Sequence, residues 1–251
     1  MSYIMEVSGL TKQFRGFTAV NNVDLKIRRH TIHALIGPNG AGKSTCFNLV
    51  TKYLSPTRGT IRFNDRDITH ANPADVARMG MVRSFQISAT FGSMTVLENV
   101  RIALQRKLGN SFHFWTSERS LNKLNDRAME LLDEVGLGSY AGHTAADLSY
   151  GRKRALEIVT TLALEPEMLL LDEPTSGMGR EDIDRTAKLI KRISANRTIL
   201  MVEHNLSVVA DLSDTITVLA RGEILVEGQY AEVSKNQQVV DAYMGTGHGH
   251  A

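Results

Sequence analysis

The sequence predicts an α/β fold built on a parallel sheet, and two features of the chain indicate it. The stretch LIGPNGAGKSTCFNLV, Leu35 to Val50, places a glycine-rich loop between an apolar strand-like run and helix-compatible residues. Two nearly continuous apolar runs, MLLLDEP (Met168 to Pro174) and RTILMVEH (Arg197 to His204), are typical of parallel strands covered on both faces. With 251 residues, of which 42% are hydrophobic and 22% charged, the chain can bury such a core as one domain with an insertion.

The glycine-rich loop has the spacing of a phosphate-binding loop: Gly37, four residues, then Gly42, Lys43 and Ser44. Glycines let successive backbone N–H groups surround phosphate oxygens, and the following helix directs the positive end of its dipole at the same anion. Lys43 adds a charge for the outer phosphates, and the Ser44 hydroxyl is a ligand for the accompanying Mg²⁺. The loop therefore predicts a bound nucleoside triphosphate instead of a glycine-rich turn without a ligand. Its predicted nucleotide-binding residues are Gly37, Pro38, Asn39, Gly40, Ala41, Gly42, Lys43, Ser44 and Thr45.

Short alternating segments in the first third of the chain predict strands: YIMEVSGL, VNNVDLKI, TIHALIG and GTIRFNDRDIT. The last of these contains a polar turn at Asn64 and Asp65. Near the other end, TITVLARGEILVEG predicts a hairpin that turns at Arg221 and Gly222, followed by a short polar helix.

A helix is predicted over Ser117 to Val135, because apolar residues recur on one face and Gly136 follows as a stop signal. That face consists of Leu121, Leu124, Ala128, Leu131 and Val135. The helix is expected to belong to a helical insertion that runs roughly from Ser93 to Leu148.

Two carboxylates, Asp172 and Glu173, end the first of the apolar runs. Ligands of parallel sheets bind at the carboxyl ends of the strands, so both acids are predicted at the mouth of the sheet. Asp172 is expected to hold Mg²⁺ through its water shell, and Glu173 to polarise the water that attacks the γ-phosphorus; two solvated strand-end acids are the alternative. His204 ends the next run, where it is expected to donate a hydrogen bond to the γ-phosphate, with a structural histidine as the alternative.

A second phosphate site is predicted in LSYGRKRALEIV, Leu148 to Val159. Its Ser-Tyr-Gly turn opens a helix, so Ser149 and the N–H of Gly151 are expected to form an anion cradle at the helix N-terminus. The apolar face of this helix is formed by Leu156, Val159 and Ala163.

The motifs GPNGAGKST, RSFQ, LSYG, LLLDEPTSG and VEH occur in this order and spacing, and together they resemble the nucleotide-binding subunit of an ABC transporter. The resemblance covers nearly the whole chain, from LTKQF to VVDAYMG. It implies a RecA-like P-loop ATPase core with an antiparallel β subdomain and a helical subdomain, the architecture of an ABC nucleotide-binding domain. It also implies that the signature residues face the ATP of an opposing chain; these are Leu148, Ser149, Tyr150 and Gly151.

Three segments narrow the resemblance: RSFQ, LSYG and EGQYAEVSKNQQVVDAYMG are similar to the branched-chain amino acid importer family, and to its larger ATP-binding subunit type. This match implies that Phe14 stacks on adenine, where an ordinary strand aromatic is the alternative. It further implies that Gln86 joins the metal and the γ-phosphate to the membrane subunits. The implied catalytic residues are Glu173, His204 and Gln86, and the implied metal ligands are Ser44, Gln86 and Asp172.

Two stretches depart from the usual sequence of this family. Arg152 stands where the family usually has glutamine. In TSGMGRED, the loop that the resemblance places across the dimer interface, residues Gly179 to Asp182 are unusual. Both stretches lie in segments that the resemblance places next to the opposing nucleotide.

The match predicts a single ABC ATPase domain over residues 1–251 with three parts. Residues 1–92 and 149–236 are expected to form the ATPase core and β subdomain, and residues 93–148 the helical subdomain. Residues 237–251 are expected to form a C-terminal helix and a flexible tail.

Composition limits the partners. A formal net charge of +2 without any basic run argues against nucleic acid. The single cysteine, Cys46, cannot form an internal disulfide and fits a reducing cytoplasm. No apolar stretch approaches a membrane span and the start lacks a signal-peptide layout, so membrane association is expected to go through a partner. The resemblance implies transmembrane permease subunits, an indirect periplasmic or extracellular binding protein, and a peripheral place on the cytoplasmic face of the inner (plasma) membrane.

Other functions of an ABC cassette remain as alternatives. A lipopolysaccharide-export type of ATPase is built alike, but the tyrosine-containing signature and RSFQ fit the importer better. A soluble ABC protein acting on ribosomes or DNA usually has two cassettes or a long coiled-coil insertion, and this chain has neither. An inactive scaffold would be expected to lack Lys43, Glu173 or His204, which are all present. The transported solute is not predicted, because the permeases and the binding protein select it.

Two surfaces are expected to meet other chains. The phosphate loop and the LSYG turn are predicted on opposite flanks, and a short rigid subdomain cannot close one onto the other. Two chains, identical or similar, are therefore expected to meet head to tail, with ATP between Lys43 of one and Ser149 of the other. In ISATFGSMTVLENV, Phe91 and Met94 are predicted to dock a permease helix. The alternative is a buried start of the helical subdomain, with a core stripe of Val96, Leu97 and Val100.

Overall fold

The computed structural model describes residues 2–84, 90–105 and 123–244. Predictions that concern Gln86, the helix start at residues 117–122 and the tail after Met244 lie outside these described residues.

The chain divides into two compact units. The first unit comprises Met1–Arg83, Glu167–Pro174 and Ile190–Ala251, and the second comprises Ser84–Pro166 and Thr175–Leu189. The predicted helical segment 93–148 lies inside the second unit, which extends further on both sides. The subdomain boundaries themselves stay a prediction.

The first unit contains a four-stranded antiparallel sheet in the order β2-β1-β4-β5. Its strands are β1 (Tyr3–Phe14), β2 (Phe17–Arg28), β4 (Arg58–Phe63) and β5 (Arg66–Asp67). Along β2 the side chains of Val23, Leu25 and Ile27 are buried while their neighbours are exposed, as a half-buried strand requires. The predicted polar turn is confirmed, since Asn64 and Asp65 have φ values of 49° and 60°, a region that these two residue types tolerate.

A second sheet in this unit has six strands in the order β10-β9-β3-β8-β7-β6. They are β3 (Ile32–Ile36), β6 (Met81–Ser84), β7 (Met168–Asp172), β8 (Thr198–Val202), β9 (Thr215–Ala220) and β10 (Glu223–Gly228). Every residue of β3, β7 and β8 is buried, and β7, β8, β3 and β9 pair in parallel, so the predicted parallel sheet is confirmed. The predicted hairpin is also confirmed: β9 and β10 pair antiparallel, and Arg221 and Gly222 between them have positive φ.

Short helices complete the first unit: α1 (Lys43–Val50), α2 (Pro73–Arg78), α7 (Leu206–Leu212), α8 (Tyr230–Val233) and α9 (Gln237–Met244). A further helix, α6 (Arg180–Ile193), has residues in both units. Cys46 on α1 is completely buried, and burial raises the pKa of its thiol to about 12, so it serves as a small core residue. Over residues 2–84, 90–105 and 123–244, no helix combines the length and the apolar character that crossing a membrane requires.

The second unit contains α3 (Val96–Gln105), α4 (Asn125–Glu134) and α5 (Tyr150–Leu162). A capping box starts α3, because the Thr95 hydroxyl accepts from the Glu98 N–H and the Glu98 carboxylate accepts from the Thr95 N–H. Of the helix predicted over Ser117 to Val135, the described part is α4, which begins at Asn125, and residues 123–124 directly before it are 3-10 helical instead of α-helical. Its apolar face is confirmed where described, with Ala128 and Leu131 buried, and Gly136 follows with φ 75° as the predicted stop.

Candidate functional site

The phosphate loop lies between β3 and α1, as predicted. Gly37, Gly40 and Gly42 have φ values of 149°, 77° and 97°, which glycine adopts far more readily than other residues. A Cβ at Gly37 would lie 2.1 Å from the carbonyl oxygen of Leu219, and one at Gly42 would lie 2.5 Å from that of Ala19. At Gly37 and Gly42, both the positive φ and the close approach of another backbone segment therefore require glycine.

A cleft of ≈ 500 Å³ opens at this loop. Its lining includes seven residues of the predicted nucleotide site, the predicted base and a segment of β2. These residues are Phe17, Thr18, Ala19, Asn39, Gly40, Ala41, Gly42, Lys43, Ser44, Thr45, Glu173 and Arg221. The volume and the polar lining suit the triphosphate end of a nucleotide.

Lys43 crosses the loop from the start of α1. Its Nζ donates to the carbonyl oxygens of Gly37 and Pro38 at 2.6 and 3.0 Å. Burial lowers the pKa of Lys43, and the Glu173 carboxylate opposes that shift. The ammonium group is thus held inside the loop by groups that a phosphate can replace.

The two acids at the end of β7 have different surroundings. Asp172 is 7% exposed, and its Oδ2 accepts from Arg83 Nη2 at 2.6 Å. Glu173 is partly exposed and lines the cleft; its backbone has φ 44°, and its N–H donates to the Val202 carbonyl at 2.9 Å. One carboxylate is therefore buried and paired, while the other faces the space at the phosphate loop.

His204 follows β8, two residues beyond its last residue, Val202. Its side chain is 59% exposed. The buried carboxylate of Glu203 accepts from the backbone N–H groups of His204 and Asn205 at 3.1 Å each, which fixes the backbone of this turn. The imidazole is therefore accessible to a ligand on a well-supported turn.

The aromatic residues near the cleft form a stacked pair. The rings of Phe14 and Phe17 lie 5.5 Å apart at 25°, and Lys12 Nζ is 5.3 Å from the Phe14 ring centroid. Phe17 lines the cleft, and Phe14 reaches it only through this pair. The sequence predicts Phe14, but not Phe17, as a residue of the site. The local sequence does not distinguish these two aromatic residues, because they flank the same tight hairpin turn.

The LSYG segment begins α5, as predicted, with Ser149 at the N-cap position and Leu156, Val159 and Ala163 buried. Ser149 and Tyr150 are exposed, and the Tyr150 hydroxyl donates to the Ser176 carbonyl at 3.2 Å. A Cβ at Gly151 would lie 2.5 Å from an Asp182 carboxylate oxygen, so any larger residue at this position requires the Asp182 side chain to move.

The two unusual stretches have specific contacts. Arg152 places its guanidinium carbon 4.3 Å from the centroid of the Tyr140 ring, a cation–π contact. Asp182, on the first turn of α6, accepts from Arg185 at 3.0 Å and fills the space beside Gly151. The Arg152 and Asp182 side chains, which differ from the usual family sequence, therefore both have partners within the second unit.

The oxygen groups at the loop fit a magnesium site of the nucleotide-dependent kind. Ser44 is exposed at the cleft, and Asp172 is the last residue of β7, directly before Glu173. Among residues 2–84, 90–105 and 123–244 there is no cluster of three or more metal-ligating His, Cys, Asp or Glu side chains. A hydroxyl and one carboxylate are sufficient where phosphate oxygens and water supply the other ligands.

Comparisons with known proteins agree with these motifs. The family model described as ABC transporter matches residues 20–176, which include the phosphate loop, the signature and the Asp172-Glu173 pair. The similarity to individual proteins extends beyond this segment.

Three curated relatives are similar along nearly their whole length. The high-affinity branched-chain amino acid transport ATP-binding protein BraF of Pseudomonas aeruginosa is 38% identical over 249 residues, which cover 96% of this chain and 98% of BraF. The corresponding protein LivG of Escherichia coli is 37% identical over 249 residues, with the same coverage of 96% and 98%. The probable LivG of Archaeoglobus fulgidus is 32% identical over 250 residues, covering 96% of this chain and 95% of that protein.

Solved structures share the fold. The ADP conformation of MJ1267, an ATP-binding cassette of an ABC transporter, superposes with a TM-score of 0.86 at 30% identity, covering 98% of this chain and 100% of that one. A nucleotide-free ATP-binding cassette from an ABC transporter gives a TM-score of 0.83 at 28% identity, covering 96% and 98%. The likeness is therefore not confined to the short motifs.

Proposed function

Because the chain belongs to the ABC transporter family, we propose that it is the ATP-hydrolysing subunit of an importer for branched-chain amino acids or similar small polar solutes. The transport role is supported by relatives that carry this description in bacteria and archaea. The hydrolytic role is carried by one observation, the cleft that Lys43 and Glu173 line together at the phosphate loop.

The loop and Lys43 bind the phosphates of ATP. The backbone N–H groups around the three glycines surround the anion, and the Lys43 ammonium exchanges its carbonyl partners for phosphate oxygens. Ser44 and Asp172, together with Gln86 by the family match, would hold Mg²⁺, which would neutralise phosphate charge. These residues bring the γ-phosphate to the side of the cleft that Glu173 lines.

Glu173 is the general base. A carboxylate at the cleft can accept a hydrogen bond from the attacking water and increase the electron density on its oxygen. Asp172 is already buried and paired with Arg83, which supports assigning the water to Glu173 and the metal to Asp172. His204, accessible on its turn, donates a hydrogen bond to the γ-phosphate.

The adenine base stacks on the aromatic pair at the edge of the cleft. Phe14 remains the stacking residue implied by the family match, and its ring is extended by that of Phe17. Stacking holds a base without requiring hydrogen bonds to its edges.

Two kinds of protein partner complete the assembly. A second ATPase subunit, the same chain or a similar one, presents its Ser149 and Gly151 to the γ-phosphate. Transmembrane permease subunits bind the surface around Phe91 and Met94, and the exposed fractions of 53% and 36% at these side chains support docking rather than a core position. In the alternative core stripe, Val96 and Val100 are buried and Leu97 is half-buried. The chain thereby acts at the cytoplasmic face of the membrane, and a binding protein outside it contacts only the permeases.

Replacement of Glu173 tests the proposal. We expect Glu173→Gln to bind ATP with normal affinity and to hydrolyse it about 10²–10⁴-fold more slowly, because the amide cannot accept the proton of the water. Equilibrium ATP binding and phosphate release are measured separately. Glu130→Gln, an exposed change on α4, is the matched control and should leave both unchanged.

Two results would contradict this assignment. Hydrolysis by Glu173→Gln within a fewfold of the wild-type rate would remove Glu173 as the base. A normal ATP dissociation constant for Lys43→Ala would show that the phosphates bind elsewhere.

A further inference from the structure

Arg83 lies on β6 and contacts two elements of the site. Its side chain is only 16% exposed. One terminal nitrogen, Nη2, donates to Asp172 Oδ2 at 2.6 Å, and the other, Nη1, donates to Asn48 Oδ1 at 2.7 Å. The guanidinium thus spans from the end of β7 to helix α1, which starts at the phosphate loop.

Two aromatic rings lie close to this guanidinium. Its central carbon lies 4.9 Å from the ring centroid of Phe47 and 5.1 Å from that of Tyr53. Phe47 is fully buried on α1, and Tyr53 follows the same helix. With two ring contacts and a donor bonded at each end, a planar, delocalised cation is restricted to one orientation, which a flexible lysine cannot reproduce.

The contacts tie the acid of the metal site to the helix of the phosphate loop. A carboxylate as buried as Asp172 needs a fixed partner, and its position relative to Ser44 on α1 decides whether both oxygens can reach one ion. Arg83 touches Asp172 and Asn48 at the same time, so it sets the spacing between these two parts of the first unit.

We propose that Arg83 is a positioning residue for the metal site, which holds the Asp172 carboxylate at a fixed distance from the phosphate-loop helix. The inference rests on the proposed function, since that function assigns Mg²⁺ to Asp172 and Ser44. Arg83 does not contact the nucleotide or the reacting atoms in this role. Its effect is on the metal-dependent part of ATP binding.

A role as a simple counter-charge makes the opposite prediction. If Arg83 only lowered the negative charge near Asp172, removing it would leave a more negative site and strengthen the binding of a cation. Lysine would then replace arginine without loss, and Asn48 would be irrelevant. The sign of the effect therefore separates positioning from charge.

The experiment measures the gain in affinity that Mg²⁺ gives, with the full-length chain and a fluorescent, non-hydrolysable ATP analogue. The gain is the ratio of the dissociation constants in EDTA and in saturating MgCl₂. We expect Arg83→Lys to reduce this gain by about 10-fold, as the loss of a group that orients a metal ligand does. Asn48→Ala, which leaves the Arg83 charge in place, should reduce it in the same direction by less. The affinity in EDTA should stay within about twofold in both variants, because the phosphate loop is untouched.

Arg78→Met is the matched control. Arg78 pairs with Asp75 on the exposed side of α2, so its loss should leave the gain at the wild-type value. Arg83→Met, if circular dichroism shows that it folds, should reduce the gain at least as much as Arg83→Lys. If it does not fold, Arg83→Lys and Asn48→Ala decide the question.

Asp172→Asn separates this inference from the proposed function. If Asp172→Asn loses the gain but Arg83→Lys and Asn48→Ala keep or increase it, the positioning role is overturned and the metal assignment stands. If Asp172→Asn itself keeps the gain, the metal assignment fails and the positioning role fails with it. A loss in Asp172→Asn, Arg83→Lys and Asn48→Ala, with Arg78→Met unchanged, supports both.

Discussion

At the level of single residues, a buried histidine lies on the strand that leads into the phosphate loop. His33 Nε2 is 2.7 Å from Thr217 Oγ1, and the Thr217 hydroxyl donates to Glu227 at 2.6 Å. Because Thr217 uses its proton on Glu227, the network assigns the proton of the neutral imidazole to Nε2. Burial, with a smaller effect from Arg28, lowers the pKa of His33 to about 4.

This histidine makes the stability of the fold depend on pH. The folded pKa of about 4 lies below the ordinary value of 6.5, so in this window the unfolded chain binds a proton that the folded chain does not. The free energy of unfolding should therefore fall as the pH drops from 6.5 towards 4, by roughly 3 kcal/mol in total, and His33 should have no effect above pH 6.5. Urea unfolding at a series of pH values across the window measures the slope.

Two histidine variants isolate the contribution of His33. His33→Gln should be less stable than the wild type at neutral pH but should lose stability more slowly on acidification. His70→Gln, at an exposed position, should keep the wild-type slope. Equal slopes in the wild type and His33→Gln would show that carboxylates alone cause the acid sensitivity.

Local spacing was enough to predict the phosphate-loop residues, because one short segment supplies the whole cradle. Arg83 could not be found in this way, since its partner Asp172 lies 89 residues further along the chain. The motif that contains it, RSFQ, indicates the family and the role of Gln86, but it predicts no role for Arg83. Side chains that act through a distant partner leave no periodic or spacing signal in one sequence.

At the level of elements, the glycines of the phosphate loop differ in the space that their surroundings leave for a side chain. Gly40 and Gly42 both have positive φ, but a Cβ at Gly40 meets nothing within 4 Å, while one at Gly42 lies 2.5 Å from the Ala19 carbonyl of β2. Gly40→Ala should cost about 1 kcal/mol of stability, from backbone strain alone. Gly42→Ala should cost roughly 2 kcal/mol or more and weaken ATP binding, because β2 or α1 must shift. Equal losses of unfolding free energy in the two variants would exclude the contact with β2 as the cause.

Strands were easier to predict than the start of one helix. The strands β3, β7 and β8 are continuous apolar runs because both faces of the sheet are covered, and the sequence displays that directly. The helix α4 begins at Asn125 without a side-chain cap from Leu124. In the sequence, Leu121 and Leu124 extend the apolar helical repeat before Asn125. No capping side chain precedes Asn125 directly, so the sequence does not indicate that α4 begins there. The four-residue strand β6 was too short to give a periodic signal.

At the level of the whole molecule, the two predicted phosphate sites belong to different units. The phosphate loop lies in the first unit and Ser149 in the second. Ser149 is exposed, and within the part of the chain that the structure describes its hydroxyl does not cap α5, so it remains free to meet a ligand from another chain. Under the proposed function, the second unit of another chain supplies the Ser149 contact, so that each chain alone provides only part of the contacts to one γ-phosphate.

If two chains complete each site, activity must depend on protein concentration. We expect the ATPase rate to rise faster than linearly with concentration through the range in which the dimer forms, by mass action. Ser149→Arg should be inactive and should also inhibit wild-type chains when the two are mixed, because its long side chain enters the site of the partner. Ser234→Arg, an exposed serine at the end of α8, is the control and should neither lose activity nor inhibit. A rate per chain that stays constant through dissociation, together with full activity of Ser149→Arg, would mean that one chain closes its own site, and the exposed serine at the start of α5 would then need another role.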